Sequence, residues 1–369
     1  MSEPSLGGRR ICLVVATTSG GTGRHVQVLA AELVRRGAQV AVCGPADTDG
    51  RFGFSSLGAA FHPVPIGSRA RPHIDQRTIR RLRRLTRDAQ LVHAHSLRAG
   101  ALAGVATRRA TPFAVTLHNA PPPGGLRGLV SAAMERYVVR RADLVFAVSP
   151  DLAARAGRLG GRDVRSAPVS APVLPPTTRS RDELRQELQV GERPLVLAIG
   201  RLAEQKGYPW LIDAAAAMAG HPSNPLFVVA GDGPLRGQLE AQIARTGAPM
   251  RLLGWRDDAA DLLTAADVVV VPSLWEGSSL AVQEALRAGV PLVGTAAGGT
   301  PVLVGSGGLL VPPGDSDALV VAVSTLLDSE RARAKWARAA ADAARDLPTD
   351  ASVSQQVIGG YLDLWSRET

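Results

Sequence analysis

A chain of 369 residues is too long for one ordinary core, and it predicts two domains of about 180 residues each. With 45% hydrophobic and 20% charged residues, it fits a soluble globular protein. The charge is divided unevenly. Residues 1–180 carry 26 Arg and no Lys against 10 acids, a net +16, whereas residues 181–369 carry 14 Arg and 2 Lys against 23 acids, a net −7. The first half is therefore built to meet something anionic, and the second is not. A GC-rich coding bias explains 40 Arg against 2 Lys, but it does not explain that asymmetry.

The N-terminus, MSEPSLGGRR, is short and polar, and the apolar run ICLVVA after it is far below the length of a signal or membrane segment. A cytoplasmic protein is expected, with the inner face of the cytoplasmic membrane as a peripheral site. ICLVVAT has the continuous apolar character of a parallel strand covered on both faces. The turn SGGTGR and a helix through HVQVLAAELVRRG, closed by Gly37, follow it. AQVAVCGP, AQLVHAHS, PFAVTLHN and ADLVFAVS are further strands, most of them with polar tips. Cys12 and Cys43 lie in two of these runs, lack the spacing of a metal site, and read as buried free thiols. Residues 77–87 hold six Arg with Ile79, Leu82 and Leu85 at helical spacing. That segment reads either as a surface helix with a narrow apolar seam or as an electrostatic attachment to an anionic bilayer. Nucleic acid is not expected as a partner, because aromatics are 4% of the chain and none interleave with these arginines.

SAPVSAPVLPPTTRS, residues 166–180, has no helical or strand period and reads as an interdomain linker. The alternation then restarts with the strands PLVLAIGR, PLFVVAGDG, MRLLGW and ADVVVVPS, the helices WLIDAAAAMAG, LRGQLEAQIARTG and QEALRAG, and the strand-turns PLVGTAAGG and GGLLVPPGD. VSQQVIGGYLDLWSR is an amphipathic helix expected to pack back on the first domain. The fold predicted is α/β, two doubly wound parallel-sheet domains facing a deep interdomain cleft, with boundaries at 1–172, 173–350 and 351–369.

Functional groups in such sheets gather at the carboxyl ends of the strands. That rule places the Gly20–Gly21 loop, His93, His95 and His118 along one crevice of the first domain. The glycines are not spaced as G-x-G-x-x-G, so Gly21 is read as making room for a phosphate or sugar ring. His93 and His95 are read as alternating, with only one able to face the crevice and no third ligand in sight for zinc. His25 is read as packing. In the second domain, GRLAEQKG sets Arg201 and Lys206 in the turn leaving a strand tip, which suits a pyrophosphate. One of only two lysines stands there. In PSLWEGSSLAVQEALRAGVP, Glu276 ends a strand and Glu284 lies on the next helix, with Gly277, Ser278 and Ser279 between them. Amides at that helix start suit phosphate or sugar oxygens, and a carboxylate accepting two hydrogen bonds suits the vicinal hydroxyls of a ribose.

This ordered set resembles the retaining family 4 glycosyltransferases of the GT-B fold, whose hallmark is two glutamates spaced as Glu276 and Glu284 are. SGGTGRHV, VHAHS, VTLHN, AVSPDL, GRLAEQKG, VVAGDGPL, LLGWRDD and GLLVPPGD carry the likeness over nearly the whole chain. The resemblance implies a nucleoside-diphosphate sugar, UDP- or GDP-linked, held by the second domain, and a hydroxyl acceptor held mainly by the first. It assigns the diphosphate to Arg201 and Lys206 and the ribose to Glu284. Sugar and phosphate fall to Glu276 and the amides of Ser278, Ser279 and Leu280. Trp255 and Arg256 flank the base, and His118 meets the sugar near the reacting carbon. The chain departs from the family at GGTPVLVGSGG, where Val302 stands in place of a common glutamate.

The reading implied is hexosyl transfer with retention, to an acceptor that is lipid-linked or a cell-envelope glycan precursor. The family usually needs no metal, so neither metal nor cofactor is expected. Two other readings stay open: a non-catalytic nucleotide-sugar-binding module, and a nicotinamide-dependent oxidoreductase disfavoured by the missing fingerprint.

Overall fold

The computed structural model describes residues 5–18, 20–67, 70–120 and 125–367. The chain forms two compact units, residues 1–170 together with 348–369, and residues 171–347. These limits fall two or three residues before those read from the sequence, for local reasons. Ala171 already donates its N–H to Gln283 Oε1 of the second unit. The return begins before Thr349, which caps the last helix in a reciprocal box with Ser352.

The first sheet comprises β1 (Arg10–Val15), β2 (Gln39–Gly44), β3 (Ala60–Pro63), β4 (Leu91–His95), β5 (Phe113–Leu117), β6 (Leu144–Ala147) and β7 (Val164–Ser166). Their order is β3-β2-β1-β4-β5-β6-β7, and every pairing is parallel. The short apolar runs form central strands because helices cover both faces. One face packs Leu13, Val15, Ala114 and Phe146 against helix Gly21–Arg35 and the C-terminal helix Asp350–Ser366, through Leu29, Leu33, Ile358 and Tyr361. The other packs Val14, Val92 and Val115 against helices Pro72–Leu85, Leu97–Ala106 and Gly125–Arg141.

The second sheet comprises β8 (Leu195–Ile199), β9 (Leu226–Ala230), β10 (Met250–Gly254), β11 (Val268–Val271), β12 (Leu292–Thr295) and β13 (Leu309–Val311), in the order β10-β9-β8-β11-β12-β13. All pairings are parallel here too. Both units are Rossmann-like α/β layers.

Two local expectations change. Gly21, Thr22, Gly23 and Arg24 are not a turn but the first turn of helix Gly21–Arg35, and Ser19 of the same motif lies outside the described residues. Gly23 lies against Phe52, whose ring would sit 2.1 Å from an added Cβ, so its missing side chain serves packing. The stretch 171–180 is tied down: the Thr178 and Arg179 backbones and side chains both donate to the buried Asp261. Cys12 and Cys43 are buried and free, as expected, with their sulfurs 3.7 Å apart. Among the described residues, no helix is long and apolar enough to cross a membrane.

Candidate functional site

In the second sheet the strand order reverses between β8 and β11. Chain segments leaving those two strands diverge onto opposite faces, which opens a crevice at their carboxyl ends. The turn after β8 carries Arg201 and a short 3-10 helix, Glu204–Lys206, closed by Gly207. Gly207 has φ +64°, and an added Cβ would lie 2.0 Å from the carbonyl oxygen of Pro272. Only glycine lets the β8 turn close onto the end of β11. Two further bonds fix the approach: Leu274 N–H to the Gln205 carbonyl at 2.8 Å, and Gln205 Nε2 to the Trp275 carbonyl at 3.0 Å.

This contact brings Lys206 and Glu276 together. Lys206 Nζ donates to Glu276 Oε1, and the Ser273 hydroxyl donates to the same oxygen at 2.7 Å. Glu276 is 7% exposed, so its charge is held by a lysine and a hydroxyl in place of water. On its far side, Gly298 takes φ +54°, and an added Cβ would lie 1.8 Å from the Glu276 carbonyl oxygen, which accepts from the Gly299 N–H at 3.2 Å. The loop after β12 therefore packs directly on the backbone of Glu276. Sequence reasoning gave Lys206 and Glu276 separate tasks and missed Ser273, Gly298 and Gly299.

Ser279 is the N-cap of helix Leu280–Arg287, and its buried hydroxyl has no hydrogen-bond partner among the described residues. Ser278, Ser279 and Leu280 thus sit where the helix leaves its first N–H groups free of intrahelical partners. Glu284, one turn in, is part-buried. Burial raises its pKa from the ordinary 4.5 to about 7, against the opposing pull of Arg287 and Lys206. Arg201, in the turn after β8, is exposed.

Trp255 follows β10 and is 78% exposed. Arg256 beside it is engaged by carboxylates, donating to Asp258 Oδ1 at 2.8 Å and to Glu187 Oε1 at 2.9 Å. Its guanidinium belongs to a network with Arg179 that ties residues 179–187 to the loop after β10. Val302, at the family departure, is 67% exposed on helix Thr300–Val304.

In the first unit the reversal lies between β1 and β4. Gly21 opens the helix after β1, His95 ends β4, and His118 follows β5. His118 is buried, with Nε2 3.5 Å from His95 Nδ1. The reading that His93 and His95 alternate is corrected: residues two apart on a strand share a face, and their ring centroids are 4.1 Å apart. His93 is fully used, its Nδ1 2.5 Å from the Tyr361 hydroxyl and its Nε2 2.8 Å from Thr116 Oγ1. His25, set aside as packing, lies against both His95 and His118 with centroids 5.4 and 5.3 Å away. Burial lowers all four imidazoles, His25 to about 4 despite the nearby charge of Asp350, so they stand neutral.

With this geometry in place, comparison with known proteins decides the family. Residues 193–329 match the family described as Glycosyl transferases group 1, and residues 20–172 match the Glycosyl transferase 4-like domain. The 2-deoxystreptamine N-acetyl-D-glucosaminyltransferase of Streptomyces fradiae is 34% identical over 287 residues, 71% of this chain and 68% of the relative. The chain belongs to the group 1, family 4 glycosyltransferases. The alpha-D-kanosaminyltransferase of Streptomyces kanamyceticus is 31% identical over 194 residues, which cover 51% of this chain and 50% of that enzyme. The matched region therefore spans about half the length of one curated relative and two thirds of the other. Among solved structures, Anabaena HepE in complex with UDP and glucose superposes with a TM-score of 0.80 at 23% identity, over 96% of this chain and 100% of that one. The fold is GT-B.

The raised Glu284 carboxyl makes a stability prediction with a definite sign. A carboxyl whose folded pKa lies above its unfolded value costs little below pH 4.5, more as pH rises toward 7, and its full penalty above that. The full cost, with the pKa raised from 4.5 to about 7, is about 3 kcal/mol. Glu284→Gln is expected to raise the Tm by several degrees at pH 8 and to change it little at pH 4.5. An equal effect at both pH values in thermal unfolding would show that burial does not raise this carboxyl's pKa.

Proposed function

We propose that this chain is a retaining glycosyltransferase that moves a hexosyl unit from a UDP- or GDP-linked sugar to a hydroxyl acceptor. The observation that carries the proposal is the convergence at the β8/β11 reversal: a lysine fixed against Glu276, a helix start with an unpartnered serine hydroxyl, and Glu284 one turn further on. Arg201, Lys206 and the amides of Ser278, Ser279 and Leu280 take the diphosphate. As it departs, the negative charge that develops meets fixed cations and N–H dipoles that need no reorganisation. Lys206 has three N–H donors, so its bond to Glu276 orients the ammonium and leaves others for phosphate oxygens. Glu284 accepts from the ribose hydroxyls, Glu276 and His118 meet the transferred sugar, Gly21 leaves it space, and Trp255 and Arg256 flank the base. The proposed attack comes from the face the diphosphate leaves, as in the retaining family that the chain resembles, so no dedicated nucleophile is assigned. Neither metal nor cofactor enters a step.

Lys206→Ala and Glu284→Ala are each expected to lower kcat/KM for the nucleotide sugar by at least about tenfold, roughly 1.4 kcal/mol of transition-state stabilisation, with the fold intact by circular dichroism. Near-normal kinetics in both variants would remove the assignment.

The acceptor is proposed to be lipid-linked, a cell-envelope glycan precursor presented at the inner face of the cytoplasmic membrane. Arg77, Arg80, Arg81, Arg83, Arg84 and Arg87 are all exposed on and just after helix Pro72–Leu85, while Leu82 is buried beneath them. Exposed Leu129 and Val130 lie on helix Gly125–Arg141, on the same layer of the unit. Cations beside apolar side chains suit an anionic bilayer, each Arg contributing on the order of 1 kcal/mol near the surface. A small soluble acceptor is the second reading, favoured by the relative whose name includes 2-deoxystreptamine. Binding to anionic vesicles that weakens with added salt supports the first. Equal partitioning onto neutral and anionic vesicles, or none, leaves the second.

A further inference from the structure

At the carboxyl edge of the first sheet, three separate elements deliver one imidazole each to a single point. His25 comes from helix Gly21–Arg35, His95 from the last position of β4, and His118 from the residue after β5. One nitrogen from each lies within 4.8 Å of the other two. The cluster is internally unsatisfied. His118 Nε2 and His95 Nδ1 stand 3.5 Å apart, at the outer limit of a hydrogen bond. Nε2 of His25 and Nε2 of His95 are buried with no partner among the described residues. A buried ring nitrogen that nothing meets bears its full desolvation penalty. By contrast, neighbouring His93 has both ring nitrogens occupied, by Tyr361 and Thr116, and is excluded from the set.

Neutral imidazoles with unused lone pairs are ligands for borderline transition metals. The all-nitrogen donor set excludes Mg2+ and Ca2+, which require oxygen. Zinc bonds imidazole at about 2.0–2.1 Å, which puts the ligand nitrogens of a tetrahedral site roughly 3.4 Å apart. Rotations that draw the rings in by about an ångström would close the present spacing to that value. Electrostatics pull both ways. Asp350, which pairs with Arg24 and accepts from Ser170, places negative charge near His25. The N-terminus of helix Gly21–Arg35 opposes a cation in the same place. That balance suits an exchangeable ion better than a resident one.

We infer that His25, His95 and His118 form a binding site for a Zn2+-class cation, with solvent or substrate completing the coordination, and that a filled site antagonises glycosyl transfer. The second half rests on the proposed role of His118 toward the sugar, since an imidazole bound to metal is withdrawn from that role. The first half rests on geometry alone.

The test uses the full chain without a polyhistidine tag, stripped with a chelator and titrated with Co2+ near neutral pH. One equivalent per chain is expected, with a visible band of nitrogen-ligated cobalt displaced by Zn2+, and hyperfine-shifted proton resonances from three imidazoles. His25→Gln and His95→Gln are each expected to weaken binding at least tenfold with unchanged far-ultraviolet circular dichroism. No stoichiometric band in the wild-type chain, fewer than three shifted imidazoles, or unchanged binding in both variants would overturn the site. So would an intense thiolate-to-cobalt band, which would place the ion at Cys12 and Cys43. The wild-type spectra decide the matter even if a variant fails to fold. In the transfer assay, added Zn2+ should lower the rate at least fivefold, reversibly with chelator. Stoichiometric cobalt binding with a rate indifferent to Zn2+ would overturn the antagonism and the role given to His118, and would leave the metal site standing.

Discussion

Where β8 and β11 lie side by side, the chain leaves one strand for helix Tyr208–Ala217 on one face of the sheet and the other for helix Leu280–Arg287 on the opposite face. Everything proposed for the second unit depends on how tightly those two exits are pinned. Gly207 lies against the Pro272 carbonyl, Gln205 bridges to residues 274 and 275, and Gly298 closes on Glu276 from the β12 side. The Lys206–Glu276 pair sits inside this clasp. A buried pair of this kind is weak support for stability, because desolvation offsets much of its attraction. Its value lies in position: the ammonium is held at one point, beside a helix start, before any anion arrives.

Glu284 shows the cost of such a site. Its carboxyl stands where burial penalises the charged form, although that form is the one able to accept two hydroxyls. Functional sites concentrate perturbed groups of this sort. The first unit follows a different design. Its edge at the β1/β4 reversal gathers neutral imidazoles, while its arginines stand outward on the helix layer that includes Pro72–Leu85. Charge attracts at the surface, and uncharged polar groups line the interior edge.

Much of this was legible in the sequence because it was written locally. A run such as VVVV or LVLAI needs no partner to declare itself a covered parallel strand, and the spacing of Glu276 and Glu284 is carried by one strand-loop-helix segment. What escaped was written across distance. Lys206 and Glu276 are 70 residues apart, and nothing in either segment shows that one will neutralise the other. His25 is a lone histidine on an amphipathic helix, a pattern that usually means packing, and only the sheet order brings it to His95 and His118. His93 and His95 share a face by the two-residue period of a strand, a rule local enough to read from sequence. The Pro- and Ser-rich stretch read as a linker because composition cannot reveal that Asp261, 83 residues beyond Thr178, holds it down.

The central claim is that a nucleoside diphosphate is held by the clasp at the β8/β11 reversal. Hydrogen–deuterium exchange of the chain with and without saturating UDP, and again with GDP, tests it most directly. The account predicts slowed exchange with at least one of the two nucleotides in the peptides covering residues 200–207 and 273–284. Protection confined to residues 17–25 of the first unit, or no protection with either nucleotide, would contradict it.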